Sequence, residues 1–329
     1  MSQILVTGAS GYVGTQLIAA LLRRDRGGQQ AVRAVVRSAA RADGLRAAVS
    51  RAPGVENSAG VEVVTADLMS DDGWKEAMTG VDEVYHVASP IPPAQPQDPD
   101  ELIVPAREGT LRVLRAARDA GARRVVLTSS FAAIGYTPKP GAEYTEDDWT
   151  DPDMPGLPPY PRSKTIAERA AWDFIGTEGG GTELTVVNPT FILGPPLTEE
   201  TGSSMYLIKA MFGGEMSVAP RHRFGIADVR DVADVHIRAM AAPGAAGKRF
   251  IAVSDHPAMS YLELAEILRR RFGSLAARVP TEEAPGDDLP RLVIRNDRAK
   301  DELGWRPRPA ETTIVDTVES LRERGVLPE

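Results

Sequence analysis

The regular alternation of short apolar segments with longer helical patterns most restricts how this chain can fold. Six segments in the first part of the sequence have the pattern of β-strands: 4–7, 31–36, 61–65, 83–87, 124–128 and 184–187. Apolar strands separated by helices predict a parallel sheet covered on both faces, the doubly wound α/β (Rossmann) arrangement. Ligands of such sheets bind at the carboxyl ends of the strands. Residues at those ends are therefore the first candidates for function.

The first predicted strand runs directly into a glycine-rich turn. Residues 7–14 read TGASGYVG, with glycines three residues apart, and an amphipathic helix follows. The N–H groups of a helix that begins this way bind a diphosphate, so the segment predicts a dinucleotide site. We expect Gly8 to permit the tight turn, Gly11 the close approach of the pyrophosphate, and Gly14 close packing of the helix on the strand. The predicted cofactor site includes three more residues of this turn, Ser10, Tyr12 and Val13.

The end of the second strand distinguishes NAD from NADP. An acidic residue there binds the ribose hydroxyls of NAD, whereas an arginine accommodates the extra phosphate of NADP. In this chain the strand is followed by Arg37, and Ser38 or Arg41 could add donors. The sequence therefore favours NADP(H), with a solvated surface arginine as the alternative.

Two further strand ends are predicted to contact the adenosine part of the cofactor. After the third strand, Asp67 could accept from the adenine amino group while Leu68 packs on the ring; a helix-capping role is the alternative for Asp67. After the fourth strand, the ribose and phosphates would be lined by Val87, Ala88 and Ser89. His86 is expected to pack within its strand and not to act as an acid or base.

Tyr160 and Lys164 lie four residues apart at the start of a predicted helix. A phenol is a poor acid at neutral pH, with a pKa of about 10, but a lysine one turn away can lower that pKa. The fifth strand ends in Thr128, Ser129 and Ser130, where a hydroxyl could stabilise a substrate oxygen that Tyr160 protonates. Either serine alone would be better explained as a turn cap. The combination predicts redox chemistry on a nicotinamide cofactor.

Together these motifs resemble the extended short-chain dehydrogenase/reductase family, specifically its dihydroflavonol-reductase-like branch of NADPH-dependent aldehyde and ketone reductases. The resemblance covers nearly the whole chain and rests on residues 7–14, 37, 67–68, 86–90, 108–110, 128–130, 160–164 with 168, 188–190 and 194–195. It implies that Ser130 is the catalytic serine, Tyr160 the proton donor and Lys164 its helper. The cofactor contacts that it implies in addition are Thr128, Pro189 and Ser204.

Two departures from the family pattern concern the substrate. Plant dihydroflavonol reductases carry an asparagine shortly after the catalytic serine, where this chain has the apolar segment 131–135. Cinnamoyl-CoA reductases carry a tryptophan- and cysteine-containing signature near 145–160, which this cysteine-free chain lacks. The predicted pocket suits a hydrophobic aldehyde, ketone or β-ketoester, and it comprises Ile91, Phe131, Ile134, Tyr136, Phe191 and Met205.

The alternation of strands and helices becomes irregular after residue 189. We predict a Rossmann NADP-binding domain over 1–190, with 225–245 returning to it, and a mainly substrate-binding lobe over 191–329. The net charge is −8 and the positive charges are scattered, which argues against nucleic acid as a partner. No apolar run reaches the roughly 18 residues of a membrane span. A cytoplasmic monomer or homodimer that acts on a small carbonyl compound is expected.

No metal site is predicted. There is no cysteine, and the spacing of the four histidines does not suit metal ligands. A turn and a helix capped from Asp231 explain the recurrence of Asp228, Asp231 and Asp234 better than a cation site does. The acidic segment 143–153 is expected to form a solvated rim.

Two other functions remain open. A sugar-nucleotide epimerase or dehydratase would use the same cofactor, although dehydratases carry an Asp-Glu pair where this chain has Phe131 and Ala132. The basic groups that could serve a nucleotide diphosphate are Arg221, Arg223, Arg291 and Arg295. A non-catalytic NADP-sensing protein is the other alternative, but such proteins usually lose the tyrosine or the lysine, and both are present here.

Overall fold

The structure is a computed structural model that describes residues 2–25, 30–55, 58, 60–90, 98–198, 203–255, 257–287 and 291–327. Ile91 of the predicted pocket lies outside the described residues. The strands are β1 Ser2–Thr7, β2 Gln30–Val36, β3 Glu62–Thr65, β4 Glu83–His86, β5 Arg124–Thr128, β6 Glu143–Tyr144, β7 Glu183–Pro189, β8 Phe191–Leu193, β9 Arg223–Phe224, β10 Ile226–Asp228, β11 Arg249–Ala252, β12 Met259–Ser260 and β13 Val293–Ile294. The α-helices are α1 Tyr12–Arg24, α2 Ala42–Ser50, α3 Trp74–Met78, α4 Asp100–Asp119, α5 Pro159–Glu178, α6 Ser203–Gly213, α7 Val229–Ala241, α8 Tyr261–Phe272, α9 Asp297–Leu303 and α10 Ala310–Glu323.

The main sheet has seven strands in the order β11-β7-β5-β4-β1-β2-β3, and neighbouring strands run parallel. This confirms the doubly wound α/β fold. The six predicted strands all belong to this sheet, with ends within two residues of the prediction. The order reverses between β1 and β4, where ligands of such sheets bind.

Both faces of the central strands are buried, which is why these strands read as nearly continuous apolar runs, whereas the edge strand β3 is partly exposed. In β1, Ile4 and Val6 join the core under α1, α2 and α7, whereas Leu5 joins the opposite core with residues of α3, α4 and α5. The alternation of side chains along a strand thus supplies both cores from one segment. The carboxyl ends of the strands lie outside these two cores and can form a binding site.

Two elements from the second half of the chain return to the main sheet. Helix α7 is anchored by the buried Arg124 of β5, whose Nη1 donates to the carbonyl oxygens of Ala239 and Met240 at 2.8 and 2.9 Å. The N-cap of α7 is Asp228, whose side chain accepts from the backbone N–H of Arg230. The prediction of a capped helix from Asp231 was therefore wrong, because the cap lies three residues earlier. Strand β11, which was not predicted, pairs with β7. We therefore propose a first domain of 1–190 with 225–245 and β11.

The remaining elements form a smaller apolar cluster beside the strand ends. Its buried residues come from α6, α8 and α10, together with Leu193 of β8 and Ile226 of β10. Short pairs join β8 to β10, β9 to β12 and β13 to β6. Within the described ranges, no helix is both long and apolar enough to cross a membrane, and no cluster of acidic or histidine side chains could hold a metal ion.

Candidate active site

The glycine-rich turn joins β1 to α1 in a conformation that excludes side chains. Gly8 has a φ of +64°, and a Cβ at this position would lie 2.8 Å from the backbone N and Cα of Ala88. A Cβ on Gly14 would lie 2.2 Å from the carbonyl oxygen of Gly8. Both distances are far below normal contact, so the turn can close against β4 and α1 only with glycine at these positions.

The first turn of α1 is open to an anionic ligand. Gly11 is the N-cap, and among the residues that the structure describes no side chain caps the helix, so its first N–H groups are open to a ligand. The hydroxyl of Tyr12 donates to the carbonyl oxygen of Gly194 at 2.7 Å in the interior. The Val13 side chain packs against two apolar clusters. Tyr12 and Val13 can therefore serve a dinucleotide through their backbone.

The end of β4 is fixed by a buried threonine. Thr7 Oγ1 accepts from the backbone N–H of Ala88 at 3.0 Å and lies 2.8 Å from Nδ1 of His86. Burial, and to a lesser extent the charge of Lys164, lowers the pKa of His86 to about 3. His86 is fully buried and is neutral at physiological pH. It packs within its strand, as predicted, and holds the end of β1 beside the end of β4.

The residues predicted for the adenosine side lie at neighbouring strand ends. Arg37 directly follows β2 and is exposed, while Arg41 Nη1 lies 3.4 Å from Oγ of Ser10 in the glycine turn. Asp67 accepts from the backbone N–H of Met69 at 2.9 Å, so one carboxylate oxygen stabilises a local turn. Leu68 packs closely against Gly109 of α4, because a Cβ added at Gly109 would lie only 3.0 Å from the Cβ of Leu68.

Helix α5 carries Tyr160 and Lys164. Prolines at 159 and 161 fit in its first turn, where backbone N–H groups have no intrahelical partner. Lys164 Nζ lies 5.7 Å from the centroid of the Tyr160 ring and donates to Oγ of Ser89 at 2.9 Å. Tyr160 Oη makes no hydrogen bond within the described residues. The phenol therefore lies beside the ammonium group with its proton uncommitted.

The two serines after β5 have different partners. Ser129 Oγ donates to Oε2 of the buried Glu168 at 2.5 Å. Ser130 Oγ instead accepts from the backbone N–H of Ala132 at 3.1 Å and caps a short 3₁₀ turn, Phe131–Ala133, that packs against α5. Because that bond uses a lone pair, the Ser130 proton remains available for a ligand. Ser130 thus caps a turn, the alternative considered from the sequence, and still has a hydroxyl proton to donate.

Three further predicted cofactor residues have defined surroundings. Thr128 Oγ1 lies 2.7 Å from Nε2 of His236, whose Nδ1 lies 2.7 Å from the carbonyl oxygen of Val232. Nδ1 must donate to that carbonyl, so Nε2 accepts and the Thr128 hydroxyl donates toward α7. Pro189 is buried at the end of β7, and Ser204 lies half-buried in the first turn of α6. The Thr128 side chain is thus committed to the protein.

A cavity of about 20 Å³ lies behind Lys164, with room for about one water molecule. It lies between α4, α5 and the ends of β4 and β5. Its polar lining comes from Ser89, Thr110, Thr128, Ser129, Lys164 and Glu168. The lysine therefore faces a cavity that is lined by hydroxyl and carboxylate groups.

The sequence and the fold match those of known proteins. Residues 4–252 match the NAD dependent epimerase/dehydratase family. The chain belongs to this family, the extended short-chain dehydrogenases/reductases. It is 31% identical to cinnamoyl-CoA reductase 1 of Arabidopsis thaliana over 98% of this chain and 90% of that enzyme. It is 30% identical to dihydroflavonol 4-reductase of Zea mays, over 99% of this chain and 90% of that enzyme.

A solved structure carries the same fold. The yeast methylglyoxal/isovaleraldehyde reductase Gre2, complexed with NADPH, superposes with a TM-score of 0.81 at 25% identity, covering 99% of this chain and 100% of that one. The chain is thus an oxidoreductase of the extended family, in which reduction with a nicotinamide cofactor is established. The NADPH complex of Gre2 confirms the prediction of NADP(H) as the cofactor at the level of the family.

In this family member the predicted pocket residues differ in exposure. Ile134 and Met205 are fully buried in separate apolar clusters, and Phe131 is 8% exposed beside Ile134. Phe191 is half-buried, and Tyr136 is 39% exposed. Of the described pocket residues, Tyr136 and Phe191 are therefore the most exposed, and Phe131, Ile134 and Met205 belong to the buried clusters.

Two aromatic residues beside this surface were missed from the sequence. The Phe224 ring lies 5.1 Å from that of Phe191 and 4.9 Å from that of Tyr261, between centroids. Burial raises the pKa of Tyr136, and the neighbouring Tyr160 and Tyr261 raise it further. Phe191, Phe224 and Tyr261 thus form an aromatic row, and Tyr261 at one end of it influences Tyr136 electrostatically, as Tyr160 does. A capping box, in which Ser260 and Glu263 exchange hydrogen bonds, marks the start of α8 and could have drawn attention to Tyr261.

Proposed function

We propose that the protein reduces a hydrophobic aldehyde, ketone or β-ketoester to the alcohol with NADPH, and that Tyr160 donates the proton. The observation that carries the proposal is the arrangement of Tyr160, Lys164 and Ser130. The phenol has an uncommitted proton and a lysine ammonium 5.7 Å from its ring, and the serine retains a free donor after the end of β5.

The cofactor fits the described residues. The side-chain-free turn at Gly8 and Gly14 and the uncapped N-terminus of α1 would hold the diphosphate, and Arg37 with Arg41 would hold the 2′-phosphate. Lys164 would bind the ribose hydroxyls. The bound nicotinamide supplies the hydride that the carbonyl carbon receives.

The protein residues manage the carbonyl oxygen and its proton. Ser130 Oγ donates a hydrogen bond to the oxygen as negative charge develops on it. Tyr160 Oη transfers its proton to the same oxygen, and the positive charge of Lys164 stabilises the phenolate that remains. These roles require the hydroxyl proton of Ser130 to be free. It is free because Ser130 Oγ only accepts the hydrogen bond from the Ala132 N–H.

The aromatic row supports a hydrophobic substrate. The Phe224 ring packs between those of Phe191 and Tyr261, and aromatic rings contribute large apolar contact areas with defined geometry. The arginines that could favour a nucleotide diphosphate are largely occupied. Ion pairs join Arg221 to Glu283 at 3.0 Å, Arg223 to Glu263 at 2.9 Å and Arg295 to Glu143 at 2.7 Å. The carbonyl reductase is therefore favoured over an epimerase.

The proposal is tested by following NADPH oxidation with a panel of aryl aldehydes, ketones and β-ketoesters. Tyr160→Phe removes one oxygen atom and should lower kcat by about a hundredfold or more, the scale of general acid catalysis, while the Kd for NADPH changes little. Tyr206→Phe, at a residue that is 63% exposed, is the matched control and should keep full activity. Unchanged turnover by Tyr160→Phe would exclude the mechanism. NADPH binding without turnover of any compound would redirect the search to nucleotide-linked substrates.

A further inference from the structure

Glu168 lies one turn beyond Lys164 on α5 and is completely buried. Its carboxylate accepts from four donors: Ser129 Oγ at 2.5 Å, Asn188 Nδ2 at 2.8 Å, Arg249 Nε at 2.6 Å and Trp172 Nε1 at 3.3 Å. A buried carboxylate persists only where it is paired and hydrogen-bonded. Those donors come from the end of β5, from β7, from β11 and from α5 itself.

Asn188 connects this carboxylate to the catalytic serine. Its Nδ2 donates to Oε2 of Glu168 and, at 3.2 Å, to the carbonyl oxygen of Ser130. Because both neighbours of this nitrogen are acceptors, the orientation of the amide is determined. The backbone of Ser130 is therefore held, through one side chain, at a fixed place relative to α5.

Arg249 fixes the opposite side of the carboxylate. Its Nη1 donates to the backbone oxygens of Glu146 and Asp148 at 2.8 and 2.7 Å, and its guanidinium lies 3.8 Å from the centroid of the Trp149 ring. The next residue, Thr150, donates from Oγ1 to the carbonyl oxygen of Ala132 at 2.8 Å. The loop bound by Arg249 thus returns to the turn that follows Ser130.

We propose that Glu168 is a positioning residue that sets the distance between Ser130 and the Tyr160-Lys164 pair. The inference rests on the proposed function. The two sides of the reaction site stand on different elements, Ser130 after β5 and the pair on α5, and the carboxylate of Glu168 joins them. A displacement of about 1 Å between reacting groups can cost a hundredfold in rate. Neither Glu168 nor Asn188 needs to touch the substrate to have this effect.

The test uses Glu168→Gln, Asn188→Ala and the double variant in the full-length protein. Glutamine has the shape of glutamate but presents an N–H₂ group to one set of donors. Asn188→Ala keeps the ion pair between Glu168 and Arg249 and removes the two hydrogen bonds that Asn188 Nδ2 donates, to Glu168 and to the Ser130 carbonyl oxygen. Each single variant should lower kcat about tenfold or more, with KM and the Kd for NADPH changed less than about threefold. The double variant should be no worse than the poorer single variant, because the two residues act through one link.

Glu178→Gln is the matched control, since Glu178 lies on the same helix but is exposed, and it should leave kcat unchanged. Rates are expressed per folded molecule from urea titrations, which removes a purely structural loss. If Glu168→Gln does not fold, Asn188→Ala decides alone. Normal kcat in Asn188→Ala, losses that add in the double variant, or a parallel loss of NADPH affinity would each overturn the inference. Tyr160→Phe separates the two proposals: if it keeps full turnover, the proposed function fails and the inference with it.

Discussion

His236 should make stability fall in mild acid. The ring is fully buried on α7, where its Nδ1 donates to the carbonyl oxygen of Val232 and its Nε2 accepts from Thr128. Burial lowers its pKa from 6.5 to about 4, and the hydrogen bond to Val232 offsets a part of that effect. Protonation would place an unpaired positive charge in the interior, so the folded protein resists it.

The sign of the effect follows from the two pKa values. Below pH 6.5 the unfolded chain binds a proton at His236 while the folded chain stays neutral, so this stability is present above pH 6.5 and is lost as the pH falls toward 4. For these two values the loss between pH 7 and pH 5 is about 2 kcal/mol. That is a substantial part of the 5 to 15 kcal/mol that is typical of a folded domain.

The assay is urea unfolding of wild type and His236→Gln across this pH range. We expect the free energy of unfolding of the wild type to fall about 2 kcal/mol further than that of the variant, since the other titrating groups are common to both. His222→Gln replaces an exposed histidine and should retain most of the wild-type pH dependence. The same pH dependence in wild type and His236→Gln would refute the assignment, whatever their absolute stabilities.

Two other substitutions test the cofactor site. Gly14→Ala should weaken NADPH binding about tenfold or more, because the new Cβ would lie 2.2 Å from the Gly8 carbonyl oxygen and force the turn open. The control is Gly44→Ala in α2, where no atom lies near the new Cβ. This variant should bind NADPH normally and gain up to about 1 kcal/mol of stability. Equilibrium titration of cofactor fluorescence measures both. Arg37→Ala should weaken NADPH binding about tenfold, the loss of a charged hydrogen bond, and leave NADH binding nearly unchanged. Equal losses for the two cofactors would contradict the phosphate contact.

The main sheet could be predicted because its first six strands in chain order each contain a short β-branched or apolar run, and most of these runs are buried. Strand β11 was missed because it has only four residues and lies after residue 189, where the alternation of strands and helices becomes irregular. Its buried Arg249 is accommodated by partners far away in the sequence, the carboxylate of Glu168 and the backbone oxygens of Glu146 and Asp148. Pairing across such a separation leaves no periodic signal.

The site shows the same division. Tyr160, Lys164 and the glycine turn follow from spacing, because one helix or one turn holds them. The different partners of Ser129 and Ser130 depend on Glu168 and could not be read from two adjacent serines. The expectation of a solvated rim over 143–153 was wrong at Glu146, which is 4% exposed and accepts from the backbone N–H of Ile251 at 3.1 Å.

The pairing of Glu168 with Arg249 also constrains the order in which the protein can be completed during synthesis. The two residues are 81 positions apart, so at roughly 5 to 20 residues per second the ribosome adds Arg249 about 4 to 16 s after Glu168. Until then the carboxylate lacks its countercharge, and burying it unpaired would be costly. We therefore expect Tyr160 and Ser130 to reach their final separation only after the ribosome has added β11. A nascent chain can bury much of its Rossmann core well before it becomes a catalyst.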